Sequence, residues 1–457
     1  MFTRLLISLF IFLYTAGFSF AEDTIKEVSH ERLMEEIRLL KEKLETQASK
    51  ISALEKKILS YEKKTTCVKN DASNADKKAI DSRIDEKIKQ KFPMFEWCAG
   101  LETGIGVTTV AQGVYNANGN NEPLKRNIID GSYSLDLTFS KQFDNYGKAF
   151  ILLEQGNGSN VEDELQVFSN VNFDADNDNN VRATEVWYEH YFKDMNVPLA
   201  VTFGKIDPTL FIDDNSYAND ETTQFLGRTF RNSPVIEFPD NALGVRMGYD
   251  FGEKVSADFL AVDGDSDWEN IFDGMFYAGE INIKPSFLSR EGNYRFSAWV
   301  NTQNHTEWLD SKRNKEYGYG FGTSCDQEIT DSLGVFARYG WQNPKVYINS
   351  ATDFSLEHAY SAGMRVKGLW WNREKDDAAI AFGQIFASKY YKKAGLEIGL
   401  DRKANPENHL ECHYNCAINE HFTLTPDLQI IWNPYGGDAL NGSKEILVGG
   451  IRAQINF

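Results

Sequence analysis

The residues best equipped for chemistry fall into two patterns. The first is a run of possible metal ligands, His409, Cys412, His413 and Cys416. A zinc site needs such residues to converge on one point. On an extended strand they diverge, because successive side chains leave opposite faces. His409 and His413 then point one way and both cysteines the other. Cys412 and Cys416 stand roughly 13 Å apart at ~3.3 Å per residue, too far for a disulfide. The second pattern is a set of charged residues dispersed through alternating segments. Arg246, Arg295, Arg338, Arg365 and Arg452 each fall on the non-apolar face of their segment, as do Glu154, Glu185 and Glu189. In a soluble sandwich that face meets solvent; in a closed barrel it becomes a polar lumen wall, and opposed charges on it set up a field across the pore. Neither pattern is a catalytic constellation. With seven histidines, no GxSxG and no HExxH, the chain is not expected to be an enzyme or to carry a metal or cofactor.

The segments that hold these charges read as strands. Ser132–Ser140 places Leu135, Leu137 and Phe139 on one face, and Lys148–Gln155 places Ala149, Ile151 and Leu153 outward with Glu154 inward. Leu243–Tyr249 turns Leu243, Val245, Met247 and Tyr249 outward and Arg246 inward. Tyr294–Val300 turns Tyr294, Phe296, Ala298 and Val300 outward, with Arg295 and Trp299 inward. Val335–Trp341 repeats the scheme around Arg338. Such period-2 alternation means a sheet with one apolar and one polar face. The last eleven residues, Leu447–Phe457, alternate too, and they end on an aromatic. Taken alone this is equally the edge strand of a sandwich or the closing strand of a barrel. An export signal at the other end of the chain favours the barrel, because hydrocarbon cannot satisfy an open sheet edge.

Composition agrees with that class. Hydrophobic residues make up 42%, and beyond residue 20 no stretch reaches the roughly 18–20 apolar residues of a spanning helix. The formal charge of −19, without any basic stretch, excludes a nucleic-acid role. Five cysteines with no CxxC pair indicate neither a disulfide framework nor a zinc ribbon.

In chain order, residues 1–21 form a secretory signal: Arg4, an apolar core from Leu5 to Phe18, and Ser19-Phe20-Ala21 as the cleavage site. Residues 22–64 change to a helical period, with Ile37, Leu40, Leu44, Gln47, Ile51, Leu54, Ile58 and Tyr61 at alternating a and d positions. The pairs Glu36–Lys41, Lys50–Glu55 and Lys57–Glu62 suit a parallel homo-oligomeric coiled coil; a single amphipathic helix docked on the barrel is the alternative. Residues 65–94 are a linker with a short helix, carrying Ile80, Ile84 and Ile88 and ending before Pro93. Residues 95–457 read as β throughout, with one break. Gly204–Asn241 is too long and irregular for a hairpin loop, and its aromatics and arginines argue against disorder. In a barrel its natural place is folded inward as a constriction.

From about Cys98 onward the chain resembles the carbohydrate-selective porin (OprB) family. The resemblance rests on stretches in family order: Gly131-Ser132-Tyr133, Glu185-Val186-Trp187-Tyr188-Glu189, Gly204-Lys205, Asn215–Glu221 with Gln224-Phe225-Leu226, Phe336–Trp341, the Lys367–Trp370 strand, Pro426–Gln429, Asn433-Pro434 and the final Gly449–Phe457 strand. It implies an all-β fold, a transmembrane antiparallel barrel of 16 strands in the outer membrane of a Gram-negative cell, preceded here by the α-helical coiled coil. It also implies inward-folded loops and facilitated diffusion of sugars. A barrel that ends at the periplasmic face also begins there, so the coiled coil would hang into the periplasm.

A sugar offers hydroxyls and an apolar C–H face, so a pore for it wants charged or amide groups beside an aromatic platform. The candidates are Arg228 and Arg231 in the long segment and Arg246, Arg295, Arg338 and Glu154 on the wall, with Phe225 and Trp299 for stacking. The partners expected are outer-membrane lipid, saccharides or other small polar solutes, a second copy of the chain through the coiled coil, and peptidoglycan. A general cation-preferring porin, or a structural tether acting through the coiled coil, remains open.

Overall fold

The structure, a computed structural model, describes residues 100–119, 127–192, 197–287, 289–348, 355–440 and 442–457. The signal peptide, the coiled coil and the linker with its short helix lie outside the described residues.

The alternating segments form eighteen strands in one sheet: β1 (Leu101–Tyr115), β2 (Asn127–Phe143), β3 (Gly147–Asn157), β4 (Arg182–Tyr191), β5 (Leu199–Ile206), β6 (Ala242–Asp250), β7 (Val255–Asp263), β8 (Met275–Ile283), β9 (Ser286–Phe287), β10 (Arg290–Glu307), β11 (Glu316–Glu328), β12 (Leu333–Gln342), β13 (Val346–Ile348), β14 (Leu356–Lys367), β15 (Asp377–Ala387), β16 (Glu407–Ala417), β17 (Phe422–Trp432) and β18 (Ile446–Asn456). The two- and three-residue strands β9 and β13 only extend the pairing of β10. The other sixteen run antiparallel, each beside its neighbour in the chain. The sheet closes where β1 pairs with β18, from Gly106↔Asn456 to Tyr115↔Leu447. Closure leaves no unpaired edge to face lipid, which makes it a condition of crossing a membrane as strands.

Each strand's pleat sorts its residues as the alternation predicts. On β10, Phe296 is 51% exposed on the outer face while its neighbours Arg295 and Trp299 are 5% and 4% exposed within. On β16 the two histidines face inward and the two cysteines outward, so the His409–Cys416 run cannot converge on one ion. The stretch 367–370, expected as a strand, leaves the sheet at Lys367. Gly368–Trp371 is a 3₁₀ turn, closed by the hydrogen bonds Gly368 N–H to Asp376 O (2.8 Å) and Arg373 N–H to Gly368 O (2.9 Å).

One rim of the barrel carries short turns, among them 144–146, 251–254 and 418–421. The other carries the long connections, among them 158–181, 207–241, 264–274, 388–406 and 433–445. The connection 207–241 supplies much of the interior packing. Its Ile212 and Ile236 pack with Ile206, Leu260, Phe276 and Trp299, and its Phe225 and Phe230 with Phe336, Ala379 and Ala381. The wall makes room with glycine. A Cβ on Gly334 would lie 2.1 Å from the Tyr217 ring, and one on Gly340 would lie 2.4 Å from Ser233 Oγ. A larger wall residue at either place would push the segment away from the sheet.

Candidate functional site

Two segments fold into the barrel, and each is held by side chains on the inward faces of distant strands. The segment 207–241 starts with Asp207 capping the turn Pro208–Leu210 and contains a single helical turn, α1 (Arg228–Arg231). Glu280 on β8 accepts the Asp213 N–H at 2.8 Å, and Ser216 Oγ donates to Asp326 on β11 at 2.9 Å. Arg338 on β12 donates to the carbonyls of Phe230 and Asp213 and to Asn219 Oδ1. Glu411 on β16 receives the N–H groups of Leu226 and Gly227 at 2.6 and 3.0 Å. Arg452 on β18 reaches the carbonyls of Glu221 and Gln224 at 2.8 and 3.0 Å. A chain crossing a lumen must satisfy its backbone groups somewhere, and here the wall supplies the partners.

The second segment, 158–181, joins β3 to β4. Glu407 accepts the N–H groups of Phe168 and Ser169 at 2.9 and 3.2 Å, and Gln429 donates to Val171 O at 2.8 Å. Glu162, within the segment, accepts from Val171 and Asn172. The two segments also bond each other, with Phe173 N–H donating to Leu226 O at 2.9 Å and Arg228 N–H to Asn170 O at 3.0 Å. That two-bond bridge joins them into one partition inside the barrel.

The residues proposed from sequence separate by what they touch. Arg338 is enclosed and spent on the segment and on Asp213, whose carboxylate lies 3.3 Å away. Arg295 is paired with Asp326 and with Asp214 at 3.2 Å; Arg246 is paired with Asp258 and with Glu189 at 3.0 Å. Phe225 is 1% exposed between Phe230, Phe336 and His413, and Trp299 is stacked on Phe276. Neither ring has a free face for a solute, because the segment covers the wall where they stand. Glu154 is directly opposite Asp136 on β2 and within electrostatic range of Asp207, Arg182 and Asp176.

Arg228 and Arg231 differ from the other arginines. Both guanidinium groups sit over the ring of Phe173, at 5.2 and 5.5 Å from its centre. Phe173 is 36% exposed, the reverse of Phe225. Arg231 is tied to Glu221 and, at 3.6 Å, to Asp207. Among the described residues Arg228 makes no salt bridge. It also lines a cavity of about 230 Å³ with Glu237, Phe238, Gln342 and Tyr347. On the wall nearby, Glu185 hydrogen-bonds the Trp187 indole at 2.8 Å and feels Asp207, Glu154 and Arg231. Lys148 lies over both Phe150 and Trp187, at 5.7 and 5.8 Å. The site thus combines guanidinium donors, carboxylate acceptors and half-exposed aromatic faces.

Sequence reasoning missed Phe173, Trp187, Asp136 and the whole segment 158–181. Trp187 was within reach, since alternation places it on the same inward face as Glu185 and Glu189. The segment was also within reach by the length criterion that singled out 204–241.

A profile of the family described as carbohydrate-selective porin, OprB family, matches residues 133–457. An uncharacterized protein of Aquifex aeolicus (strain VF5) is 35% identical over 228 residues, which cover 50% of this chain. The match spans 58% of that relative's length. The high-pH structure of Pseudomonas putida OprB is similar with a TM-score of 0.66 at 16% identity, covering 81% of this chain and 97% of that one. The outer membrane channel DcaP of Acinetobacter baumannii gives a TM-score of 0.49 at 12% identity, covering 79% and 98%. The similarity to the first structure is one of fold.

Proposed function

From the premise that this chain belongs to the carbohydrate-selective porin, OprB family, we propose that it is an outer-membrane porin through which saccharides or similar small polar solutes diffuse passively. The observation that carries this reading is Arg228, a guanidinium without a salt bridge among the described residues, lying over the exposed ring of Phe173 in the partition. A sugar can lay its C–H face on such a ring and give its hydroxyl oxygens to the adjacent N–H donors. Glu154, Asp136 and Glu185 accept hydrogen bonds from its hydroxyls on the wall side. Contacts of this kind are weak singly, and conduction requires that they be weak enough for release.

The test is single-channel recording in planar bilayers with increasing mono- and disaccharide. Saturable block of the ion current is the expected result. Arg228→Ala should weaken it by about 1–2 kcal/mol, roughly 5–30-fold in half-blocking concentration. Open channels indifferent to every sugar tried would overturn the saccharide reading.

The carboxylates around the partition favour a second reading, a cation-preferring pore. A reversal potential measured across a salt gradient separates the two. Residues 22–64 are proposed as a periplasmic coiled coil that brings copies of the chain together or contacts peptidoglycan. Deleting 22–92 would sink that idea if assembly and envelope attachment were both unchanged.

A further inference from the structure

The connection 264–274 between β7 and β8 lies on the long-loop rim; with Asp263, the last residue of β7, its start reads Asp263-Gly264-Asp265-Ser266-Asp267-Trp268-Glu269. We propose that Asp263, Asp265 and Asp267 form a binding site for a hard divalent cation of the Ca²⁺ class. This reading is independent of the solute the pore carries.

One oxygen from each of the three carboxylates lies within 4.8 Å of the others. Clustered surface acids are common, and the decisive feature is Asp263. Its side chain is 0% exposed, and neither of its oxygens makes a hydrogen bond of normal geometry. The groups that act on it most strongly are the Asp265 and Asp267 carboxyls and the Trp268 backbone N–H. A buried carboxylate that faces two more, without a cation, is costly. An ion that takes one oxygen from each would relieve all three.

The ligand chemistry selects the ion. Three carboxylates at i, i+2 and i+4 offer oxygen alone, which suits Ca²⁺ and gives no softer donor for zinc or copper. Calcium loops of the D-x-D-x-D-G type place glycine after the third Asp to allow a sharp turn. Here that place belongs to Trp268, which adopts the same left-handed backbone at φ 65°. The position that carries a bidentate Glu in such loops is Gly274 here. The site therefore belongs with weak, extracellular-type sites, half-saturated at about 10⁻⁴–10⁻³ M. Ser266, between two of the ligands, donates to Asp240 O at 2.9 Å. The site is thereby fastened to the end of the segment 207–241, which packs inside the barrel.

The experiment uses the full chain, refolded in detergent, with Tb³⁺ as probe and Ca²⁺ as competitor. Trp268 lies among the ligands and serves as the energy donor, so bound Tb³⁺ should give sensitised emission that Ca²⁺ displaces. The double variant Asp265→Asn/Asp267→Asn keeps Trp268 and alters exposed residues, and should weaken binding about tenfold or more. Asp263→Asn adds a readout that a purely structural role would not produce. It should raise the unfolding temperature in EDTA, by removing an unpaired charge, and abolish the further rise that Ca²⁺ gives the natural chain. No sensitised emission, emission unchanged in the double variant, or a Ca²⁺-induced rise that survives Asp263→Asn would each overturn the proposal.

Discussion

Arg338 shows how much a single lumen side chain can carry. Its guanidinium meets the carbonyls of Phe230 and Asp213, the side chain of Asn219 and the enclosed Asp213 carboxylate. Arg338→Ala leaves that carboxylate buried without its counter-charge, a loss of about 3–5 kcal/mol. Arg338→Lys keeps the charge but not the planar fork, so it should recover only part of the loss. Thermal unfolding of the refolded variants checks the order natural, Lys, Ala. Single-channel records should show larger, noisier openings in the Ala variant as the segment comes loose. At this scale the sequence was only half legible. That Arg338, Arg295 and Arg246 point inward follows from a period of two. Whether an inward arginine meets solute, a facing carboxylate or a loop carbonyl depends on where distant residues are laid, from 12 positions away for Arg246 and Asp258 to 125 for Arg338 and Asp213. Phe225 and Trp299 illustrate the same limit, because an inward ring and a covered ring look alike in sequence.

Among the elements, the segment 158–181 makes the sharpest prediction. Asp174 accepts from Ser134 Oγ at 2.8 Å, but its other oxygen is buried without a partner. Burial pushes this carboxyl up to about 8, against the pull of the Ser134 hydrogen bond. Glu162 is pushed up to about 7, again by burial and in spite of the two N–H groups it accepts. A carboxyl raised in this way holds its proton in the folded chain where the unfolded chain has lost it. Its contribution is therefore full below about pH 4 and decays as the pH climbs to about 7–8. The partition should be firmest in acid and loosen toward neutrality. Unfolding temperatures recorded from pH 4 to 8 should fall across that range, and Asp174→Asn should flatten the slope. A flat profile in the natural chain would contradict the burial argument. The long connection 207–241 announced itself through its length and its arginines. Its partner shares the length but has no arginine, the stretch from Asp174 to Asn180 being mostly Asp and Asn, and nothing local shows that Glu407 and Gln429 will hold it inside.

At the scale of the whole molecule, closure is the controlling fact. The seam between β1 and β18 is completed by the chain's last residue. Phe457 N–H donates to Ile105 O at 2.9 Å, Ile105 N–H donates to Phe457 O at 3.1 Å, and the Phe457 ring stacks on His421 at 5.4 Å. Among the described residues, every strand pairing of the barrel lies within residues 101–457. Two truncations should therefore behave oppositely. A chain beginning at residue 95 should refold to the same heat-resistant barrel with the same unit conductance, whatever its assembly state. Removing Phe457 alone deletes only one residue, yet it frees the Ile105 N–H and C=O at the seam. Each backbone hydrogen bond contributes about 1 kcal/mol in water, and an unpaired group facing hydrocarbon costs several. The shortened chain should refold more slowly and in lower yield, and melt at a lower temperature. Adding Phe→Leu at the same position gives the control, since it restores both seam bonds and removes only the ring. If Phe457→Leu fails as badly as the deletion, the ring and its stack on His421 matter more than the hydrogen-bonded seam, and the closure argument built on backbone pairing is wrong for this end of the strand.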